Sequence, residues 1–154
     1  MTTHAEKRVV PYTSKQMFDL VADIAKYPEF LPWCAAARIR STHQEGDARV
    51  VEGDLIISFK VFREKFGSRV VLRDDVPSIE VSYLDGPFKH MHNHWKFNDL
   101  PQGGCEIDFF VDFEFKSRTL QALIGLVFDE AMRRVVAAFE ARAQDLYGST
   151  QIVS

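Results

Sequence analysis

The 154-residue sequence has little of what would identify several classes of protein. It has two cysteines, Cys34 and Cys105, which lie far apart without the close spacing of zinc ligands, so we expect reduced thiols rather than a disulfide or a metal site. No apolar run approaches the ~20 residues of a membrane-spanning helix. The net charge is only −3, so the overall composition does not favour a nucleic-acid-binding protein.

The sequence also lacks the short motifs of common catalytic sites. It contains no Gly-rich phosphate loop, no dinucleotide fingerprint, and no serine or cysteine in a nucleophile motif. Asp108, Asp112 and Glu114 alternate with apolar residues on one predicted strand, so they should face solvent instead of converging in a cleft. We therefore expect a binding protein that is not an enzyme, without catalytic residues and without a required cofactor.

No targeting peptide is recognisable at the N-terminus, because charged residues such as Glu6, Lys7 and Arg8 interrupt it. We expect a protein of the bacterial cytoplasm that contacts the inner membrane only at its surface. The length predicts a single domain over residues 1–154, with a flexible tail after Gly148.

A long amphipathic helix is predicted between Ser117 and Gly148, where apolar residues recur at intervals of three and four. Ser117 suits the N-cap and Gly148 suits the C-terminal end. About thirty helical residues span roughly 45 Å, so the apolar face needs an extended partner. Gly125 lies inside this helix, where glycine costs about 1 kcal/mol relative to alanine and often marks the close approach of another group.

The residues before this helix predict antiparallel strands. A first strand over residues 4–12 ends near Pro11, and a helix follows with a Thr13–Gln16 capping box and an apolar stripe up to about Ala25. From Cys34 onward apolar and polar residues alternate with period two, and turn signals separate the alternating segments.

This order of elements predicts an α+β fold, in which a curved antiparallel sheet of six to seven strands wraps around the C-terminal helix. The sequence contains thirteen phenylalanines, and the inward rows of the strands hold more apolar side chains than one helix face can cover. We therefore expect a cavity between helix and sheet. The alternative is that the aromatic side chains fill the interior.

The segment from Tyr27 to Cys34 contains two prolines, which exclude a long helix, and several large apolar side chains. Such a segment must pack against other apolar groups. It either closes one end of the core or lies over an opening as a gate.

Two polar rows offer further candidate sites. His90, His92 and His94 share one face of a strand, and a His-x-His pair can bind zinc. That face is opposite Trp95 and Phe97, so we expect a solvent-exposed row without metal.

The second row is basic, and we interpret it as a charged sheet surface, with a docking patch for anionic lipid or RNA as the alternative. It consists of Lys60, Arg63, Lys65, Arg69 and Arg73. The neighbouring Phe62 either ends a buried strand or touches a membrane interface.

Five segments together resemble the coenzyme Q-binding Coq10 and ribosome-association toxin RatA family, which belongs to the START-like, SRPBCC superfamily. The resemblance covers nearly the whole chain, and the run Tyr-Pro-Glu-Phe-Leu-Pro-Trp-Cys is its most specific part. The segments are residues 21–34, 63–66, 85–88, 93–97 and 113–117.

The resemblance implies a helix-grip, START/Bet v 1-like fold with an elongated hydrophobic cavity. It also implies a lipid ligand, here ubiquinone or a similar isoprenoid, and a role as a quinone carrier or chaperone in cellular respiration. From inward alternation and motif position, we predict that the ligand-binding residues are Phe30, Trp33, Leu55, Ile57, Phe66, Trp95, Phe109, Phe113, Leu123, Val127 and Ala131.

Two other functions stay open. The RatA branch of the family implies a toxin of a toxin–antitoxin system that binds a ribosomal subunit and blocks subunit association. A polyketide cyclase or aromatase shares the fold but needs polar groups inside the cavity, for which only Ser68, Asn93, Tyr83 and Glu64 are candidates.

Overall fold

The structure, a computed structural model, describes residues 2–59 and 62–148, except for the side chains of Phe59 and Phe62. The predicted tail after Gly148, the predicted role of Lys60 and the two readings of Phe62 therefore lie outside what it describes. The elements are β1 (Thr2–Val10), α1 (Ser14–Ala22), a 3₁₀ helix (Ile24–Glu29), β2 (Cys34–Glu45), β3 (Ala48–Phe59), β4 (Phe62–Arg73), β5 (Ser78–Asp85), β6 (Phe88–Asp99), β7 (Cys105–Phe115) and α2 (Arg118–Tyr147).

The seven strands form one antiparallel sheet in the order β1-β7-β6-β5-β4-β3-β2. The predicted fold class is confirmed: a curved antiparallel sheet is combined with a long C-terminal helix. Register shifts interrupt β2 near Cys34 and Ile39, and others lie beside Gly67 and Phe88. Such irregularities bend a strand and increase its twist, so they contribute to the curvature of the sheet.

The first helix begins as predicted and ends earlier. The Thr13 hydroxyl accepts from the N–H of Gln16, and the Gln16 side chain accepts from the N–H of Thr13, which confirms the capping box. Asp99, at the end of β6, accepts hydrogen bonds from the N–H and hydroxyl of Ser14, both at 2.8 Å. The predicted end near Ala25 is wrong, because the N–H of Asp23 bonds to the carbonyl of Leu20 and a 3₁₀ helix follows.

The first strand is also displaced from its predicted range of 4–12. It covers Thr2–Val10 and ends directly before Pro11, whose nitrogen has no hydrogen to donate to a ladder.

The long helix α2 matches its predicted range. The Ser117 hydroxyl accepts from the N–H of Leu120 at 3.1 Å, and Gly148 ends the helix with a φ of 76° and an N–H bonded to the carbonyl of Gln144. A positive φ is far less costly for glycine than for other residues, so this position suits Gly148.

In its C-terminal half, helix α2 is held on the sheet through Phe139. The Phe139 ring is fully buried, and its centroid lies 5.0 Å from that of Trp95 on β6 and 5.3 Å from those of Tyr27 and Phe30. Edge-to-face contacts of this kind add to the burial of the rings themselves. Phe139 is therefore the centre of the contact between helix, sheet and 3₁₀ segment.

A polar network fastens the middle of α2 to the edge strand β1. The ring nitrogens of His4 lie 3.0 Å from carboxylate oxygens of Asp129 on α2 and Glu6 on β1. Arg8 donates to Glu6 at 2.7 Å and to Glu140 at 2.9 Å. These contacts define where the helix crosses the sheet edge.

The two cysteines are buried and unpaired, as predicted. Burial raises the pKa of the Cys105 thiol to about 11, and it also raises the pKa of Cys34. Both side chains are therefore neutral thiols at physiological pH.

We expect Phe139→Ala to lower the free energy of unfolding by about 3–5 kcal/mol, because it removes a fully buried ring from the centre of the helix–sheet contact. Leu146→Ala, on the exposed side of the same helix, should cost less than about 1 kcal/mol. Urea denaturation of both variants measures the difference. Equal losses would show that α2 is not anchored through Phe139.

Candidate ligand-binding cavity

A cavity of about 300 Å³ lies between the sheet and α2. This volume is at the lower end of the range for small-molecule sites. It is lined by Ile24, Tyr27, Leu31, Pro32, Trp33, Gly53, Leu55, Ile57, Phe66, Ser68, Val70, Ile79, Val81, Phe88, Met91, Asn93, Trp95, Phe109, Val111, Phe113, Phe115, Ile124, Val127, Phe128, Ala131, Met132, Val135 and Phe139.

Nine of the eleven residues predicted to bind the ligand line this cavity. They are Trp33, Leu55, Ile57, Phe66, Trp95, Phe109, Phe113, Val127 and Ala131. The strand positions follow from alternation, since every second side chain of β3, β4, β6 and β7 points to the same face. Whether these residues contact a ligand stays a prediction.

Phe30 and Leu123 lie elsewhere, which corrects their predicted placement. The Phe30 ring packs on Tyr27 and Phe139 and lies under the Arg142 guanidinium at 5.1 Å, so it supports the cavity wall from behind. Leu123 is 49% exposed, because the lining face of α2 runs through Ile124 instead.

The sequence-based prediction of the ligand-binding residues omitted several lining residues that the alternation of the strands could have identified. Val70, Ile79, Val81, Met91 and Val111 have the same inward alternation as the chosen strand residues. On α2 the signal was weaker. Its apolar stripe is broad, so spacing alone did not separate the lining side chains from those exposed beside them.

The lining of the cavity includes an exposed residue in the N-terminal half of α2. Val127 lines the cavity and is 42% exposed, and Leu126 next to it is 84% exposed. A Cβ built on Gly125 would meet no atom within 4 Å among the described residues. The prediction that Gly125 marks a close approach is therefore wrong, because this glycine faces open space.

Trp33 lies in the wall formed by the segment after the 3₁₀ helix. Its φ is 65°, a left-handed conformation that is uncommon for a bulky side chain. The carbonyl of Trp33 accepts a hydrogen bond from the N–H of Ser58 at 2.8 Å, which ties the segment to β3. A gating role for Trp33 stays a prediction.

The polar side chains in the lining are few, and most are engaged with protein groups. Asn93 donates to the carbonyl of Phe110 at 2.7 Å and accepts from the Trp95 indole at 3.2 Å. The Tyr27 hydroxyl donates to the carbonyl of Val21, and burial raises its pKa far above the ordinary value. Ser68 is the remaining polar candidate that lines the cavity.

The other two polar candidates are not in the lining. The Tyr83 hydroxyl accepts from the N–H of Phe88 at 3.1 Å, and Glu64 is exposed. The described lining residues include no carboxylate, imidazole or cation. This composition suits the binding of an apolar molecule better than acid–base chemistry.

The histidine row and the described residues of the basic row lie on the outer face of the sheet. His90 is 3.4 Å from Asp112, His94 stacks on Phe110, and burial lowers the pKa of His94. Among the described residues, no group of three metal-binding side chains is placed to hold an ion. In the basic row, Arg69 donates to Glu45 at 2.6 Å.

Comparison with known proteins identifies the family. A family model described as "Polyketide cyclase / dehydrase and lipid transport" matches residues 10–140. The chain belongs to this family. Within it, the chain is 39% identical over 150 residues to ribosome association toxin RatA of Rickettsia prowazekii, covering 95% of this chain and 99% of that protein.

Two further relatives and the solved structures agree with this assignment. Escherichia coli K12 RatA is 38% identical over 92% of this chain and 86% of its own length. Coenzyme Q-binding protein COQ10 homolog B of Xenopus laevis is 31% identical over 97% of this chain and 61% of its own length. The predicted resemblance to the Coq10 and RatA family is confirmed.

The fold of this family member recurs in solved structures. An 18 kDa protein from Caulobacter crescentus has a TM-score of 0.80 at 38% identity, covering 97% of this chain and all of that one. The Zhui aromatase/cyclase of a Streptomyces species has a TM-score of 0.79 at 15% identity, covering 97% of each chain, so it shows the fold alone. No described helix is long and apolar enough to cross a bilayer.

We expect Ala131→Trp to fill part of the cavity and to weaken binding of the apolar fluorescent probe N-phenyl-1-naphthylamine at least about tenfold, since added side-chain volume displaces the probe. The matched control is Ala137→Trp, which adds the same ring on the exposed side of α2. Probe fluorescence titration and thermal unfolding are measured for both. Unchanged probe binding in a folded Ala131→Trp variant would contradict the assignment of the cavity.

Proposed function

We propose that this protein binds a hydrophobic ligand, ubiquinone or a similar isoprenoid, without transforming it chemically, and that it acts as a quinone carrier or chaperone supporting respiratory electron transport. The observation that carries the proposal is the apolar cavity between the sheet and α2, whose lining includes the exposed Val127. The name of the COQ10 relative supports the choice of a quinone.

Burial of apolar groups favours binding and needs no charged partner. Each CH₂-sized group taken out of water contributes about 0.8 kcal/mol, against an association cost of about 4–15 kcal/mol. The affinity therefore depends on how many apolar groups of the ligand the cavity and the adjoining surface of α2 cover.

The size of the cavity constrains how a long isoprenoid would bind. A space of about 300 Å³ holds a ring headgroup and a short part of the chain. The rest of the chain would extend past Val127 and over Leu123 and Leu126, which are exposed and apolar.

The same surface fits peripheral contact with a bilayer. The exposed Lys116 and Arg118 lie at the start of α2 and make no ion pair within residues 2–59 and 62–148. Apolar side chains flanked by cations bind to the surface of anionic membranes. A carrier that contacts the membrane beside its own cavity would exchange ligand there.

We expect the purified protein to take up ubiquinone-10 from vesicles of phosphatidylcholine and phosphatidylglycerol, as measured by quinone in the protein fraction after flotation. Leu126→Glu should slow uptake about tenfold, because the new charge opposes insertion of the helix surface. Val76→Glu, which changes a comparably exposed side chain in the turn between β4 and β5, should leave uptake unchanged.

One further variant and two refuting outcomes complete this experiment. Ala131→Trp should lower the final amount of bound quinone, whereas Leu126→Glu should lower only the rate. A protein that neither copurifies with an isoprenoid nor takes up added ubiquinone would refute the proposal. Equal slowing by Val76→Glu and Leu126→Glu would refute the membrane contact at α2.

A second candidate function is binding to a ribosomal subunit and blocking subunit association. It is favoured by the names of the RatA relatives, which match nearly the whole chain. The exposed Arg63 and Lys65 on β4 support it, since they make no ion pair within the described part of the chain and are free to meet phosphate.

We expect the second function, if it operates, to give co-migration with a ribosomal subunit in a low-salt sucrose gradient. Arg63→Glu combined with Lys65→Glu should abolish co-migration by replacing attraction to phosphate with repulsion. Lys15→Glu, which changes an exposed side chain of α1, is the control. Absence of co-migration by the unchanged protein would rule this function out. The described residues of the cavity lining include no acid–base pair, so they give no support to the third candidate, a polyketide cyclase.

A further inference from the structure

We propose that the hydroxyl of Ser68 is the hydrogen-bonding anchor for the headgroup of the ligand, and that the ligand is therefore a neutral, oxygen-bearing molecule that enters headgroup first. This inference rests on the proposed function and specifies the class of ligand. It is carried by the hydroxyl of Ser68, a polar group in the cavity lining that bonds to no protein group among the described residues.

Ser68 is 6% exposed and lines the cavity between Phe66 and Val70, its inward neighbours along β4. No hydrogen bond joins its hydroxyl to a protein group among the described residues, and the hydroxyl is not one of the fully buried unpartnered atoms there, so it is accessible from the cavity. Asn93 and Tyr27, by contrast, both bond to protein groups. Buried polar groups in proteins are nearly always hydrogen-bonded, so an unpartnered hydroxyl facing an apolar space indicates a partner that arrives with the ligand.

The strands around Ser68 leave room for such a partner. In the register of the sheet, Ser68 lies opposite Gly53 on β3, which also lines the cavity and contributes no side chain. A Cβ at Gly53 would lie 3.0 Å from the carbonyl of Arg38 and 3.6 Å from the Ile39 side chain, so a larger residue there would press on β2. Glycine at position 53 therefore leaves the cavity face opposite Ser68 without a side chain.

The position of Ser68 sets the direction of binding. It lies near the middle of β4 and is 6% exposed, whereas Val127 in the same lining is 42% exposed. An oxygen held at Ser68 therefore places the headgroup at a buried part of the lining and leaves the apolar chain to extend toward the exposed part.

The surroundings of the hydroxyl define the headgroup. A serine hydroxyl donates one hydrogen bond and accepts others, so it suits a carbonyl or hydroxyl oxygen. The described lining has no lysine, arginine or histidine to neutralise a carboxylate or phosphate, and burying an unpaired charge is highly unfavourable. A quinone or a polyprenyl alcohol fits these conditions, whereas a fatty acid or phospholipid headgroup does not.

The test compares ubiquinone-2 with squalene, an isoprenoid hydrocarbon without oxygen, by displacement of N-phenyl-1-naphthylamine. Ser68→Ala should weaken ubiquinone-2 binding about tenfold, as expected for one lost hydrogen bond, and should change squalene binding less than about twofold. The matched control Ser82→Ala, on the exposed side of β5, should change neither. Infrared difference spectra should show a lowered carbonyl frequency of bound ubiquinone-2 that returns toward its free value in Ser68→Ala.

Each remaining outcome is informative. Equal weakening of both ligands, or an unshifted carbonyl band in the unchanged protein, would overturn the anchor and leave the proposed function standing. Palmitate binding as tightly as ubiquinone-2 would overturn the neutral class. Failure of the unchanged protein to bind either isoprenoid would refute the proposed function and this inference with it.

Discussion

The structure depends on how one helix meets seven strands. Val136, Phe139 and Ala143 are buried, so the C-terminal half of α2 is packed firmly against the interior. Along the N-terminal half, Leu123 and Leu126 stay exposed. The inner face of the sheet is wider than the helix, and the unfilled part of that face is the cavity.

The chemistry of this space follows from what lines it. Its aromatic and aliphatic side chains exclude charge, and Asn93 uses its amide to bond to the protein. The same scaffold occurs in an aromatase/cyclase, so the fold alone does not determine whether the interior carries a reaction. Here the interior has the properties of a binding site, with Ser68 as its distinctive polar group.

Local patterns predicted most of the fold. The capping box at Thr13, the N-cap at Ser117 and the glycine end at Gly148 involve residues close in sequence, so they were recognisable without the structure. The early end of α1 was missed, because the competing 3₁₀ segment depends on packing of Tyr27 against Phe139. Phe30 was placed at the gate of the cavity on its motif position, yet its ring packs on Tyr27 and Phe139 and does not line the cavity.

The sequence by itself determined which side of each strand is buried, because alternation with period two is a property of the strand alone. It also determined the extent of α2 through its two caps. Only the tertiary structure decided that Leu126 and Val127 of α2 stay exposed and that the lining passes through Ile124 instead of Leu123. The tilt and rotation of a helix result from contacts between residues that are far apart in sequence, here Phe139 with Trp95 and His4 with Asp129. A local sequence pattern does not predict the combined effect of such contacts.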